Sequence, residues 1–490
     1  MRQSVSKGFV YMMSTELVVM ISNYLIHIGL ARYLGAEDYG LFGVLMSMYL
    51  INRAFLNTGL PRTVTKFISE SNVLTHTFYS KVLKLQIFSA VGFALLYVIL
   101  ASSIASWLHD SSLTGMIMFL GVMVIPLSLL ALFTSGYMNG LRVFREQAII
   151  SFSQPIFRVI LVFLFVFLGW GIFGALMGYF LALVLCLILF FIIWKNPVVK
   201  SDTFIEERGL VKKVLLFSLP ITFTALAATS IRNINVLFIK SILHDNTLAG
   251  LYTAATTLSN IPFLLFMYLP FVLLPSVSRA VAQQNHVLIQ KYIKLSLRWL
   301  LLLMLPVIAL MAATSTDLLK MFYSSTYIGA ASTLSLLVVS VTFLVIFGTL
   351  GSIITGSGKP TVEMCLTWLS FLLMVILNYY FIPHYGIVGG AISSLIATCL
   401  AMVMGGFYVY RKWGVLVDAV STVKIVIVSG LVYYLAWLWH FAGFYLVFTY
   451  GLWGLFYVFV LWLLREIRKE DWEVVGRLFR KRSLAEYEKN

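Results

Sequence analysis

ARYLGAEDYGLFGVL, Ala31 to Leu45, separates two long apolar runs: the chain is nearly all apolar from Gly8 up to it and again from it to Leu60. Two acids, Glu37 and Asp38, and two glycines, Gly35 and Gly40, fall together in the gap. Each flanking run has the length of about 20 residues that carries a helix across the roughly 30 Å hydrocarbon core of a bilayer. The segment therefore reads as a tight turn between two membrane spans, with the glycines permitting the reversal. Further down, SILHDNTLAGLYTAATTL, Ser241 to Leu258, has the same form.

The rest of the chain fits a protein built from such spans. Of its 490 residues, 61% are hydrophobic and 11% charged, and the mean hydropathy is +0.96. A soluble domain carries roughly 25% charged residues. About fourteen apolar segments reach spanning length. The alternation of a transmembrane barrel is absent, and in lipid a helix satisfies its own backbone. The predicted fold class is an all-α polytopic membrane protein with about 14 transmembrane helices.

An even number of spans puts both termini on one side. The loops after the even-numbered spans, with the two termini, collect nearly all the basic residues, among them Arg142, Arg145, Lys195, Lys200, Lys212, Lys213, Lys291, Lys294, Arg411 and Lys412. The opposite loops hold Glu37, Asp38, Asp110, Asp245 and Asp317, with Arg32, Lys240 and Lys320 as their cations. The positive-inside rule then makes both termini cytoplasmic. The net charge of +16 is mostly this topological bias. The tail, with Arg477 and FRKRS, suits anionic lipid headgroups, and no nucleic-acid partner is implied. Cys186, Cys365 and Cys399 all lie in predicted spans without a CxxC or a histidine cluster, so they read as small packing residues and no metal site is expected. The first apolar run contains Glu16, Asn23 and His27 and is too long for a signal peptide, so it reads as a retained span.

The polar interval KNPVVKSDTFIEERGLVKK, Lys195 to Lys213, divides spans 1–6 from spans 7–12, and the two sets match each other. RYLGAEDYGLFGVLMS aligns with SILHDNTLAGLYTAATTLS, pairing Gly40-Leu41 with Gly250-Leu251. GLRVFREQ at Gly140 aligns with GSGKPTVE at Gly356, and GIFGALMGYFLALVL at Gly171 with GIVGGAISSLIATCL at Gly386. The order is kept and the offset stays at about 210 to 216 residues. Six spans per set means that both sets enter from the same side, a parallel repeat about the membrane normal. The expected organisation is a first lobe over 1–200, a second over 201–412, two further spans in 413–465 and a basic tail over 466–490. Gly171, Gly174 and Gly178, with Gly386, Gly389 and Gly390, suit close helix packing in lipid.

ARYLGAEDYGLFGVL, NTGLPRTVTKFISE after it, NGLRVFREQA and ITGSGKPTVEM together resemble the polysaccharide transporter branch of the multidrug/oligosaccharidyl-lipid/polysaccharide exporter superfamily. The likeness extends over about 460 residues. It implies two pseudo-symmetric six-helix lobes facing each other in a V, spans 1, 2, 7 and 8 lining a cleft of alternating access, and two extra helices beside the second lobe. It also implies a flippase whose cargo is a lipid-diphosphate-linked oligosaccharide, with polysaccharide assembly proteins as further partners.

Ionisable residues inside spans cost about 2.5–3.5 kcal/mol on insertion scales, so they face an interior or a cavity. Glu16, Asn23 and His27 are spaced 7 and 11 residues apart. That spacing places them within about 20° of one another on a helix. Thr222, Thr229 and Asn233 repeat it in span 7. Arg232 borders this second stripe, Arg53 sits in span 2 near Asn52 and Asn57, and span 8 adds Thr253, Thr256, Thr257 and Asn260. A guanidinium matches a diphosphate bidentately where an ammonium does not. Arg53 and Arg232, with Arg32 at the outer rim, are therefore candidate headgroup ligands, with Asn23, Asn52, Thr229, Asn233 and Asn260 as polar lining. The structural alternative has Arg232 paired with Glu16 and the amides bonding neighbouring helices. Arg158, one turn after Gln154 in span 5, reads as a hydrogen-bonding residue inside the first lobe.

GSGKPT lacks the pattern of a phosphate loop: Ile353 stands where glycine is needed and Pro360 where Ser or Thr is. No cofactor is expected. Transport would use an ion gradient, the membrane potential or downstream consumption of product, with Glu16 and His27 as candidate coupling groups. A cation-coupled multidrug exporter of the same superfamily is the first alternative, expected to have twelve spans and acidic cleft residues. A membrane glycosyltransferase or polymerase is the second, expected to carry a catalytic acid or a large outer loop.

Overall fold

The protein is seen in a computed structural model that describes residues 5–71, 76–194, 210–266, 269–440 and 443–466. Among the described residues every regular element is helical. In order they are α1 (Val5–Ser71), α2 (His76–Trp107), α3 (Thr114–Ala131), α4 (Phe144–Phe165), α5 (Gly171–Ile193), α6 (Leu210–Leu243) and α7 (Asn246–Phe266). After these come α8 (Leu269–Ala282), α9 (His286–Ala313), α10 (Ser315–Phe322), α11 (Ala331–Gly356), α12 (Pro360–Trp413), α13 (Ala419–Leu438) and α14 (Leu446–Leu463).

Among the described residues, eleven helical stretches are long and apolar enough to cross a membrane. Three of them, Ser14–Glu70, Phe144–Ile193 and Pro360–Trp413, run 50 residues or more. At 1.5 Å per residue each would be at least about 75 Å long, more than twice the hydrocarbon core. Each doubles back at glycine. Gly35 (φ 81°, ψ 177°) breaks α1, Gly169 and Gly171 break the α4–α5 stretch, and Gly386 breaks α12. Counting both limbs of these three gives the fourteen crossings that the sequence predicts. Large apolar side chains on the outside, such as Phe88 at 79% and Ile99 at 73% exposure, face where lipid would be.

The internal repeat is visible in the backbone itself. Gly171 takes φ 54°, ψ −136° and its sequence counterpart Gly386 takes φ 57°, ψ −135°, a conformation closed to residues with a Cβ. Arg142 and Gly358, in the paired segments GLRVFREQ and GSGKPTVE, both have positive φ. The glycines after each break let the returning limb touch the outgoing one. A Cβ on Gly174 or Gly178 would strike the backbone of Phe165 or Val162, and one on Gly389 would strike Phe381. These are the packing roles expected of them.

In ARYLGAEDYG the two glycines divide the work differently from the expectation. Gly35 alone makes the reversal, with Glu37 and Asp38 exposed beside it. Gly40 lies inside the returning helical limb and serves a contact described below. Across the turn, His27 Nδ1 and Tyr39 Oη lie 3.0 Å apart and Phe42 packs edge-on to the imidazole, which fixes the two limbs as a hairpin.

The last two spans pack on α9, where Leu301, Leu302 and Leu305 meet Ile425, Val428, Trp453 and Tyr457. A buried ion pair pins their far ends: Arg298 Nε lies 3.1 Å from Glu466 Oε1, and Lys424 approaches the same carboxylate at 3.7 Å. The remainder of the basic tail, residues 467–490, and most of the Lys195–Lys213 interval lie outside the described residues.

The dihedrals of Gly35 fall in a region essentially reserved for glycine, where another residue costs about 1–3 kcal/mol. Gly35→Ala should lower the melting temperature of the detergent-solubilised protein, whereas Gly92→Ala, at a helical site with open space around it, should leave it unchanged.

Candidate functional site

The two halves meet most closely at the end that carries Gly35. The returning limb of α1 crosses the start of α7 so tightly that a Cβ on Gly40 would overlap the Asn246 carbonyl, and one on Gly250 would overlap the Ala36 carbonyl. The two glycines aligned by the repeat thus face each other across the junction. One turn further in, Gly43 meets the Thr253 side chain.

Two reciprocal cation contacts flank this crossing. Lys240, in the last turn of α6, reaches the connection after α2, with Nζ 3.2 Å from Asp110 Oδ2, and also donates to Asn246. Ser241 donates to the Trp107 carbonyl there, and the His109 and His244 rings lie 3.8 Å apart. Arg32, in the last turn before Gly35, reaches the connection after α9 and donates to the Met321 and Phe322 carbonyls. Those carbonyls end α10, the pole of a helix that favours a cation. Tyr327 Oη donates to the Ala31 carbonyl from the same connection. At the far end the returning limb of α1 meets α6, where Gly59 packs on Ser218 and Thr222 and the Lys66 ammonium lies 4.0 Å over the Phe217 ring.

Between these closures lie two chambers. The larger, about 520 Å³, is walled by α1, α3, α4, α6 and the π-helical turn Leu132–Met138, and includes Glu16, Asn57 and Gln147. The smaller, about 220 Å³, lies toward the Gly40 crossing and includes Asn23, His27, Arg158 and Asn260. Leu50, Arg53, Thr229 and Arg232 line both and form the neck between them. Arg232 stacks over Phe263 at 4.5 Å. Arg158 donates to Asn23 Oδ1 at 2.6 Å and lies 5.0 Å from the Tyr179 ring, while its Nε is buried without a partner. Among the described lining residues three guanidiniums face one carboxylate, Glu16, so the interior is electropositive.

Of the residues singled out in the sequence, Asn23, His27, Arg53, Thr229, Arg232, Asn233 and Asn260 all face these chambers, as does Glu16. The stripe spaced 7 and 11 residues apart is thus real in α1. Asn233 and Asn260 turn their amides onto the carbonyls of Thr229 and Thr256 in their own helices. No ion pair joins Arg232 to Glu16 among the described residues. Arg32 belongs to the closed end rather than to the cleft; it follows Asn23 by nine residues, half a turn around the helix from the cavity face. Asn52 is 1% exposed and accepts a hydrogen bond from Tyr97 at 2.6 Å, because it sits about 100° around the helix from its neighbour Arg53. Thr222 is at the far closure.

Sequence reasoning missed two features. Arg158 has the lobe-internal partner expected of it, Asn23, yet it also lines the smaller chamber. The amide face of α4, with Gln147 and Gln154, went unread; the polar residues recurring at about two-turn spacing along that helix were its signal.

A helical bundle of this kind, with a polar, electropositive interior closed by reciprocal contacts between its halves, is the architecture of a membrane transporter. Residues 5–281, more than half of the chain, match the model of the polysaccharide biosynthesis protein family, and residues 220–380 match the MatE model. The chain belongs to the polysaccharide biosynthesis protein family, within the multidrug/oligosaccharidyl-lipid/polysaccharide exporter superfamily that its motifs resemble. It is 26% identical over 426 residues to the uncharacterized membrane protein MJ1375 of Methanocaldococcus jannaschii, covering 83% of this chain and 98% of that one. Its fold is similar to that of the lipid II flippase MurJ in an inward closed conformation, with a TM-score of 0.75 at 16% identity over 93% of this chain and 98% of the other. It is similar also to an inward-facing multidrug resistance MATE family transporter, with a TM-score of 0.71 at 15% identity over 83% and 98%.

The Asp110 carboxylate, outside the spans, carries a testable charge effect. Burial raises its pKa, but hydrogen bonds from Ser112 and the Lys240 ammonium outweigh this and hold it below the ordinary 3.8. The stability it contributes is therefore complete above that value and lost as pH falls through the lower folded value. At neutral pH, Asp110→Asn should destabilise the protein by up to about 3 kcal/mol, since Lys240 is left buried without its counter-charge. The difference in melting temperature between wild type and variant should shrink as the pH is taken below 3.8.

Proposed function

We propose that the chain is a flippase that carries a lipid-diphosphate-linked oligosaccharide across the cytoplasmic membrane by alternating access, without catalysing a reaction. The observation that carries this is the neck: Arg53 and Arg232, from opposite halves, line both chambers. A diphosphate there could be gripped from both halves, each guanidinium offering a planar pair of donors. The prenyl tail stays in lipid while the headgroup sits inside.

In this reading residues 1–200 and 201–412 move as two lobes, both termini are cytoplasmic, and membrane lipids and polysaccharide assembly proteins are the partners. On this topology the end closed by Gly40 against Gly250 is the outer one. Glu16 faces the larger chamber and remains the coupling candidate; His27, bonded to Tyr39 and walled by Phe42, serves the hairpin first. The excess of guanidinium over carboxylate argues against an organic cation as cargo, and so against the multidrug exporter reading.

In proteoliposomes scored with a fluorescent polyprenyl diphosphate oligosaccharide, Arg53→Ala and Arg232→Ala should each reduce flipping by about tenfold or more, as loss of a charge-assisted hydrogen bond costs about 1.5–3 kcal/mol. The lysine variants should recover only part of it. Undiminished flipping in both alanine variants would remove the neck as the headgroup site, and uptake of an organic cation at a comparable rate would favour the exporter.

A further inference from the structure

The larger chamber has a lining that the diphosphate does not use. Asn57, Asn139, Gln147, Gln154 and Ser151 face into it, with the Phe144 ring beside them. A carboxamide both donates and accepts hydrogen bonds. Two of these amides are incomplete: the Gln147 Oε1 and Asn57 Oδ1 atoms are buried with no hydrogen-bond partner, and Gln147 as a whole is only 8% exposed. A buried acceptor left in that state costs about 1–3 kcal/mol, and its presence in a native structure calls for an explanation.

We propose that this chamber is a glycan subsite, in which the orphaned amide oxygens of Gln147 and Asn57 accept hydrogen bonds from sugar hydroxyls. The inference rests on the flippase reading and adds to it the part of the protein that meets the cargo's sugars. Sugar hydroxyls both donate and accept hydrogen bonds, and these amides can meet them in both roles. An apolar ring such as Phe144 suits the C–H face of a pyranose. The placement also agrees with the covalent order of the cargo. Asn57 follows Arg53 by one helical turn, about 6 Å along the axis. A sugar bonded to a diphosphate held at Arg53 would therefore reach Asn57, in the chamber that Gln147 also lines.

The test compares two probes on the full-length protein in nanodiscs: a polyprenyl diphosphate bearing an oligosaccharide, and the same polyprenyl diphosphate without sugar. Gln147→Leu and Asn57→Leu should each weaken binding of the glycan-bearing probe by about tenfold, the loss of one or two hydrogen bonds, and leave the bare probe unchanged. Retained binding of the bare probe also reports that the variant is folded. Arg232→Ala should weaken both probes alike. If both leucine variants bind both probes as the wild type does, or weaken both by the same factor while keeping the wild-type melting temperature, these amides make no glycan-specific contact and the glycan subsite is wrong. A wild type that binds neither probe, or whose binding of the bare probe ignores Arg232→Ala, instead overturns the flippase reading beneath it.

Discussion

The contact on which the rest of the structure depends is the backbone crossing of Gly40 and Gly250. Lipid gives helices no hydrophobic reason to associate, so two halves of a membrane bundle hold together by close packing and hydrogen bonds. Hydrogen atoms in place of Cβ at these two positions let the carbonyls of Ala36 and Asn246 lie against the opposing helix. The Lys240 and Arg32 contacts can form only because the crossing brings each half's first span within reach of the other half's third connection. Glycine interlocks no side chains at this contact, so in the proposed alternating access a shallow backbone contact flanked by polar latches is the gate that parts and re-forms.

The interior follows from the same geometry. Closing one end over a cavity lowers its dielectric, and every unpaired charge inside becomes more costly and more attractive to a counter-ion. Among the described lining residues three are guanidiniums. Arg158 is held in place by Asn23 and Tyr179, and Arg232 by Phe263, so their planes are set before any ligand arrives. Arg53 stands at the neck. Such preorganisation reduces the ordering cost of binding. To the two guanidiniums of the neck the smaller chamber, about 220 Å³, adds Arg158, and the larger, about 520 Å³, adds Glu16 and the amides of Asn57, Asn139, Gln147 and Gln154.

Much of this was legible in the sequence because it depends on local periodicity. Spanning lengths and the stripe of Glu16, Asn23 and His27 are properties of single helices, the repeat is a match of one stretch of sequence to another, and all three survive in the structure. Gly40 and Gly250 were paired by alignment, although their physical contact could not be read from it. The errors come from azimuth and from distant partners. Asn52 and Arg53 are neighbours in sequence, and only one of them can face the cavity. Arg32 lies on the side of its helix away from Asn23, and the α10 carbonyls that hold it are nearly 300 residues on. The sequence placed Arg158 inside one half and left the amides of α4 unread; their exposure to the shared cavity depends on how α4 packs against α1, which no local pattern encodes.

The central claim is that the Gly40–Gly250 crossing is a gate. It is tested most directly by pulsed electron resonance between spin labels at Glu37 and Thr247, one on each side of the crossing, in nanodiscs with and without the polyprenyl diphosphate oligosaccharide. The account expects a short distance that matches the closed structure, and a second, longer one whose population changes with the ligand. A single distance, the same with and without ligand and in Gly40→Leu, would show a fixed junction and contradict the account.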